Sequence, residues 1–272
     1  MQQFSCVKSI GSEFMSLYYQ EHGDKNAPLI VFLHGGGVSS WMWDKQVQYF
    51  KHKHCVTIDL PEQGKSRQSE LFSIKSSALK IIELIENIGK GKEITVIGFS
   101  LGAQVALQIL SLKPQLVDYA MINSALVIPS PLLKKWIKPT IKLTSPLIKN
   151  QSFSKLQAKT LYIDQEYFDT YYKESSAMPT ETLIRILEEN MSFDLPKNFH
   201  EAKANILITV GGREKAVMIK SAKKIVTHNP NCKGVILPNI GHGVSFVKPD
   251  YFNQLIESWL TKDSLPQDVQ TL

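Results

Sequence analysis

Short apolar runs alternate along this chain with longer segments of helical period. Leu29–Leu33, Cys55–Asp59, Ile94–Ile97, Val117–Ile122, Ile206–Val210 and Gly234–Leu237 are almost continuously apolar, and the first two run into glycine or proline. Runs of this length and composition predict strands buried on both faces. Between them Ile74, Ala78, Ile81, Ile82, Ile85 and Ile88 recur every three or four positions, which predicts a helix over 73–88. Leu101–Leu110, apolar on most faces, and Pro249–Leu260 predict two more helices. Strands alternating with helices predict an α/β fold: a mostly parallel, twisted sheet with helices on both faces. Two alternating stretches, Phe4–Ile10 and Glu13–Gln20, predict an antiparallel hairpin at one sheet edge. The tail after Lys262 is expected to be loosely held.

The alternation stops between 125 and 196, where Pro129, Pro131, Pro139 and Pro146 punctuate short amphipathic pieces. This predicts a helical insertion at 125–196 within a core made of 1–124 and 197–272. Ser130-Pro131 reads as a cap followed by proline at the first helical position. Leu132, Leu133, Trp136 and Ile137 form one face of that helix and Lys134, Lys135 and Lys138 the other. Pro139 is expected to end it.

Composition narrows the class. Of 272 residues 43% are hydrophobic and 21% charged, ordinary for a globular protein. No window holds about 18 consecutive apolar residues, so no membrane-spanning helix is expected. The first residues lack the basic start and apolar stretch of a secretory signal. Cys6, Cys55 and Cys232 are odd in number and widely spaced, as in reduced thiols of a cytoplasmic protein. The net charge of +6 is unevenly spread. Leu126–Ile163 carries seven lysines and no acid, whereas 164–194 carries eight acids against Lys173 and Arg185. Two complementary halves of one insertion account for this most simply. A basic apolar face making weak contact with anionic membrane surfaces is the sharper alternative. Nucleic acid is not expected, because the basic run lacks a binding motif.

The densest chemistry lies at Gly98-Phe99-Ser100-Leu101-Gly102, directly between a predicted strand and a predicted helix. A nucleophilic serine on a tight turn needs small neighbours, and the helix N-terminus favours developing negative charge. A serine hydroxyl also needs a base. Among seven histidines, His242 is favoured because Gly241-His242-Gly243 follows the last core strand, at the end where parallel sheets place their sites. Glu214 follows Ile206–Val210 and precedes His242 by 28 residues, one helix and one strand away, so the two loops should be neighbours. It is the expected carboxylate partner, with Asp118 and Asp194 less well placed. Donors for an oxyanion are expected at the Leu101 N–H and at Gly36 or Gly37 of His34-Gly35-Gly36-Gly37. Gly36 is favoured over Gly37, and His34 is expected to hold the loop. His52 and His54 fall on one strand face without further ligands at zinc spacing, so no metal is expected. Trp41 and Trp43 are expected to pack on the sheet. Leu126, Leu133, Trp136, Phe168 and Met178 are candidate contacts for an acyl chain.

Taken in order, His34–Gly37, the turn Asp59-Leu-Pro-Glu-Gln-Gly64-Lys-Ser66, the Ser100 elbow, the acid loop at Glu214 and Gly241-His242 resemble the α/β-hydrolase fold family, over residues 4–261. The resemblance implies a helical lid at 125–196, a Ser100–Glu214–His242 triad and an oxyanion hole on the residues above. It departs from the family in Glu214 for the more usual Asp and in Glu62-Gln63 for a Gly-His pair. Haloalkane dehalogenases and epoxide hydrolases of this fold use an aspartate nucleophile, which Ser100 argues against. Proline iminopeptidases usually continue His-Gly-Gly with Pro-Gly, where this chain has Gly37-Val38. The resulting expectation is a serine hydrolase of small carboxylic esters, with a short or medium acyl or aromatic group, such as a monoacylglycerol, and no cofactor. The alternatives are a ligand receptor with slow or single turnover, a serine carbon–carbon hydrolase or lyase, and a membrane-surface lipase.

Overall fold

The structure, a computed structural model, describes residues 7–10, 17–262 and 265–272. Among these described residues nine strands form one sheet: β1 (Val7–Ile10), β2 (Leu17–Gly23), β3 (Leu29–Leu33), β4 (His54–Ile58), β5 (Ile94–Phe99), β6 (Tyr119–Asn123), β7 (Asn205–Gly211), β8 (Cys232–Leu237) and β9 (Gln270–Thr271). Their order is β1-β2-β4-β3-β5-β6-β7-β8-β9. The six strands from β4 to β8 are parallel; β2 and β9 run antiparallel to them at either side, and β1 pairs antiparallel with β2. All six predicted core strands are present. The expected N-terminal hairpin is β1 paired with β2, and the rest of its predicted span lies outside the described residues.

Each apolar run serves two layers, as the two-residue period of a strand requires. Leu29, Val31 and Leu33 of β3 pack into one core, and Ile30 and Phe32 into the other. The first core is closed by α2 (Ile74–Ile88), α3 (Leu101–Leu112) and α8 (Ala216–His228). The second is closed by α1 (Asp44–Tyr49), α9 (Val244–Val247) and α10 (Pro249–Lys262). Ser73 caps α2 by accepting the Ser76 N–H at 3.1 Å. Trp43 is fully buried against Phe32, with ring centroids 5.2 Å apart, so it packs as expected.

Between β6 and β7 lie α4 (Pro131–Ile148), α5 (Gln151–Thr160), α6 (Phe168–Ala177) and α7 (Thr180–Ser192), the helical insertion of the predicted architecture. Two expectations fail here. Helix α4 begins at Pro131 but does not end at Pro139; it continues through Pro139 and Pro146 to Ile148. Both prolines face solvent, as does Lys135, whose carbonyl Pro139 leaves without a helical donor, so water can satisfy it. Nor do the basic and acidic halves neutralise one another. Among the described residues only Lys142–Glu181, at 3.5 Å, is an ion pair between them. The acids turn instead to the core: Asp164 and Glu166 to Lys45, Glu174 to Ser39 and Trp41, Glu189 to the Ile74 N–H, and Asp194 to Lys224.

The tail is also ordered differently from expectation. Gln270–Thr271 pairs with β8, and Leu272 packs on the first core beside Gly234. Edge β8 would otherwise expose unpaired backbone groups. Cys55 and Cys232 are free thiols, each pushed up to about 12 by burial, and Cys6 lies outside the described residues. No helix among the described residues is long and apolar enough to cross a membrane.

Candidate active site

The chain leaves β3 for β4 on one side and returns to β5 on the other. This reversal opens a crevice beyond the carboxyl ends of β3 and β5, the usual ligand site of an open parallel sheet. Ser100 stands there, between β5 and α3, with φ +52° and ψ −109°. A non-glycine residue so placed stores on the order of 1–3 kcal/mol of backbone strain. Its surroundings hold it: the Ser100 N–H donates to the Asn123 carbonyl at 2.9 Å, and the Ser100 carbonyl accepts from Ala103 and Gln104. Glycine at 102 is needed because a Cβ there would lie 2.2 Å from the Leu33 carbonyl oxygen. The turn is therefore clamped between α3 and the end of β3.

His242 reaches Ser100 from the loop after β8. Its Nε2 lies 3.1 Å from Ser100 Oγ, and its Nδ1 lies 2.6 Å from Glu214 Oε2. A carboxylate can only accept, so Nδ1 carries the proton and Nε2 is left to accept from the serine hydroxyl. The Phe99 ring tilts against the imidazole with centroids 5.0 Å apart. On the other side Tyr162 covers the loop so closely that a Cβ at Gly241 would be 2.5 Å from its hydroxyl.

Glu214 comes beside His242 because β7 and β8 are paired neighbours, and their loops are joined by Gly212 N–H to Leu237 O and Arg213 N–H to Ile240 O, both 2.9 Å. Only 2% of its side chain is exposed, against 39% for His242, so the carboxylate sits behind the imidazole, shielded from water. Burial alone would push the Glu214 carboxyl up. The hydrogen bond and charge of His242, the Ser124 hydroxyl at 2.7 Å and the Gly211 N–H at 2.8 Å outweigh it and hold the group below its ordinary value. Ser124 has no place in the sequence reading. It follows β6 with φ +57°, at the same carboxyl end of the sheet as the other three residues. Its place directly after a core strand, as with Ser100 after β5, is the signal that could have found it.

The Gly-rich loop after β3 meets the same site. His34 is buried, accepts the Leu60 N–H at Nε2 (2.9 Å) and donates from Nδ1 to the Gly35 carbonyl (2.7 Å), so it holds the loop as expected. Burial pushes its imidazole down, against the pull of Asp59. The Gly37 N–H donates to Gln63 Oε1 at 3.3 Å, whereas a Cβ at Gly36 would sit 3.6 Å from the Leu101 side chain. Of Gly36 and Gly37, Gly36 is thus the one against Leu101 at the α3 N-terminus. The N–H groups of that first helical turn have no acceptors within the helix.

A cavity of about 610 Å³ opens on Ser100 and His242. Leu126, Ile128, Leu133, Met191, Val217 and Met218 make its apolar wall, with Tyr162, Arg213 and Lys215 at the polar side. Of the five expected acyl contacts, Leu126 and Leu133 line it. Phe168 is buried and Met178 packs on the first core. Trp136 points to solvent, and Trp41 bridges to the insertion by donating to Glu174 at 2.9 Å. A surface hollow of about 630 Å³ among Glu86, Lys113, Glu201 and Lys203 lies at the opposite, amino-terminal end of β6 and β7. The rival acids are spent elsewhere: Asp118 accepts the Ile94 N–H and Asp194 pairs with Lys224. His54 is held between Glu21 and Lys92, and among the described residues no cluster of three or more His, Cys, Asp or Glu is placed to hold a metal ion.

The insertion is tied to the core by a half-buried ion pair. Glu62, at φ +61°, accepts Arg185 Nε at 2.8 Å, Arg185 Nη2 at 3.0 Å, the Thr182 hydroxyl at 2.8 Å and the Phe72 N–H at 2.8 Å. Gln104 and Asn190 make a second tie, with Asn190 Nδ2 donating to Gln104 Oε1 at 3.0 Å.

Comparison with known proteins follows the same lines. Over residues 30–255 the chain matches the model of the Alpha/beta hydrolase family. It is 24% identical to RutD of Stutzerimonas stutzeri, named a candidate carbamate hydrolase, over 88% of this chain and 95% of that one. Monoacylglycerol lipase abhd6-B of Xenopus laevis is 22% identical over 87% of this chain and 76% of its own. The solved structure of MGS-M2, an alpha/beta hydrolase enzyme from a Medee basin deep-sea metagenome library, superposes with a TM-score of 0.76 at 21% identity, covering 95% and 99% of the two chains. The family match runs from the first buried strand into the last helix and takes in Ser100, Glu214 and His242 together, so the chain belongs to the alpha/beta hydrolase family.

Proposed function

We propose that this protein is a serine esterase that cleaves carboxylic esters through an acyl-enzyme on Ser100. The observation that carries the reading is the relay of two hydrogen bonds, Ser100 Oγ to His242 Nε2 at 3.1 Å and His242 Nδ1 to Glu214 Oε2 at 2.6 Å, opening on an apolar cavity.

Ser100 Oγ attacks the ester carbonyl carbon while His242 Nε2 takes its proton, and Glu214 stabilises the imidazolium. Negative charge gathers on the former carbonyl oxygen, where the Gly36 and Leu101 N–H groups donate to it. Gly36 suits this role better than Gly37, whose N–H is turned to Gln63. When the carbon–oxygen bond to the alcohol breaks, His242 returns the proton to the leaving oxygen. Water then attacks the acyl-enzyme with His242 again as base, which releases the acid and restores Ser100. Residues 125–196 act as the lid whose apolar side receives the acyl group, and 1–124 with 197–272 as the catalytic core. The substrate is a short- or medium-chain or aromatic ester, with a monoacylglycerol within reach of the cavity.

Steady-state turnover of a p-nitrophenyl ester series, wild type beside Ser100→Ala, tests this. Many turnovers per molecule that vanish in Ser100→Ala are expected. A single burst, or no turnover although a fluorophosphonate labels Ser100, would overturn the esterase reading in favour of a receptor or lyase.

A further inference from the structure

Helix α4 has no buried residue along its 18 positions. At the roughly 100° per residue of an α-helix, Leu132, Trp136, Leu143 and Leu147 fall within about 60° of one another. Leu132 is 75% exposed, Trp136 69% and Leu143 81%. Half-buried Ile137, Ile141 and Ile148 occupy the other side, and α4 packs on α7. The helix therefore has two apolar faces, and only the inner one is covered. Along one flank of the outer stripe stand Lys135, Lys142 and Lys149, whereas Lys138 and Lys134 fall nearer the inner side. Lys134, Lys135, Lys138 and Lys149 have no acidic partner among the described residues, and Lys142 pairs with Glu181.

We infer that the outer face of α4 docks on an anionic lipid bilayer. An apolar stripe bordered by lysines whose long stems lie along it is the arrangement that sinks into the headgroup boundary with its charges at the phosphates. A second copy of this chain would set one lysine row against another. A nucleic acid would leave the leucines and the tryptophan without a partner. The bilayer satisfies both halves of the face, as the segment's lack of acids over Leu126–Ile163 requires. Leu133, beside the stripe, also lines the cavity on Ser100, so docking presents the cavity mouth to the membrane. That lipid esters enter there rests on the esterase reading; the docking does not.

Binding is therefore measured with the Ser100→Ala protein, by flotation with vesicles of phosphatidylcholine alone or with 30% phosphatidylglycerol. Trp136 is the one exposed tryptophan among the described residues, so its fluorescence reports contact. Flotation with the anionic vesicles only is expected, with a blue shift quenched by brominated acyl chains. Raising NaCl from 0.1 to 0.5 M, where the screening length falls well below about 10 Å, should lower binding at least tenfold. Combined Lys135→Glu, Lys142→Glu and Lys149→Glu should do the same, and Trp136→Phe should abolish the fluorescence change but not flotation. In an otherwise wild-type protein the lysine changes should leave turnover of a water-soluble ester unchanged. Absence of flotation at low salt, or full flotation of the triple variant, would overturn the docking. So would a Trp136 blue shift produced by protein concentration without lipid, which would assign the face to self-association. Flotation together with no ester turnover by the wild type would retain the docking and reject the esterase.

Discussion

Replacing Glu214 by glutamine tests the relay at its most shielded member. The change keeps shape and removes one charge, so its effect follows from who donates to which oxygen. Oε1 accepts from the Gly211 N–H at 2.8 Å and the Ser124 hydroxyl at 2.7 Å, and Oε2 from His242 Nδ1 at 2.6 Å. The Gly211 N–H cannot rotate, so the amide oxygen must stay at Oε1 and the NH2 must face His242. That orientation forces Nδ1 to accept and places the imidazole proton on Nε2, toward Ser100, where it cannot take the serine proton. Flipping the amide would set its NH2 against the buried Gly211 N–H, at about 1–3 kcal/mol for the unsatisfied group. Loss of the charge-assisted bond to the imidazolium adds about 1.5–3 kcal/mol. The two together lower kcat roughly 100- to 10,000-fold, since each ~1.36 kcal/mol is a decade. KM should change little, because Glu214 is too shielded to touch substrate. The assay is kcat and KM on p-nitrophenyl butyrate, with fluorophosphonate titration to count sites and thermal melting to confirm folding. A folded variant losing less than tenfold in kcat, or losing activity through KM alone, would refute the argument.

Three further outcomes follow from the clamps around the site. Arg185→Met leaves the Glu62 carboxylate buried without its partner and should destabilise by about 2–3 kcal/mol in denaturant titration, between the values for exposed and fully buried pairs. Burial pushes the Glu62 carboxyl up, but Arg185, the Phe72 N–H and the Thr182 hydroxyl hold it below its ordinary 4.5. Its stabilisation is thus complete above about that pH and is lost as pH falls through the depressed folded value. Limited proteolysis within 125–196 should accelerate below pH 4.5 in the wild type, and Glu62→Gln should lose that added acid sensitivity. Gly102→Ala would drive a Cβ into the Leu33 carbonyl at 2.2 Å, a contact with backbone that no rotamer relieves. It should cost more than about 3 kcal/mol or prevent folding, whereas Gly36→Ala, whose Cβ meets nothing nearer than 3.5 Å, should melt within a few degrees of the wild type.

The strands were legible in the sequence because a chain segment buried on both faces is apolar at most positions, whatever covers it. The Ser100 turn was legible because its demands are local: Gly98 and Gly102 flank the serine within one strand-to-helix turn. Glu214 and His242 could be paired because they follow consecutive strands of the parallel sheet, where adjacency in order becomes adjacency in space. The course of α4 was not legible. Proline lowers helix stability by a known amount, but whether the freed carbonyl meets water or protein depends on which face points outward, and at Pro139 and Pro146 it is the solvent face.

What the sequence determined by itself, then, is the alternation of strand and helix, the place of the insertion and the three chemical groups that line up at the sheet's carboxyl edge. Tertiary structure alone decided the rest. Ser124 meets Glu214 across 90 residues because β6 lies beside β7. Arg185 finds Glu62 across 123 residues because α7 crosses the turn after β4. Most of the insertion's acids turn to the core and leave the lysines of α4, Lys142 apart, without acidic partners among the described residues, although sequence order sets the two runs side by side. Periodicity encodes which face of an element is apolar; it does not encode the crossing angles that choose what each face meets. Long-range polar partners, and the apolar face of α4 left bare, are consequences of those angles.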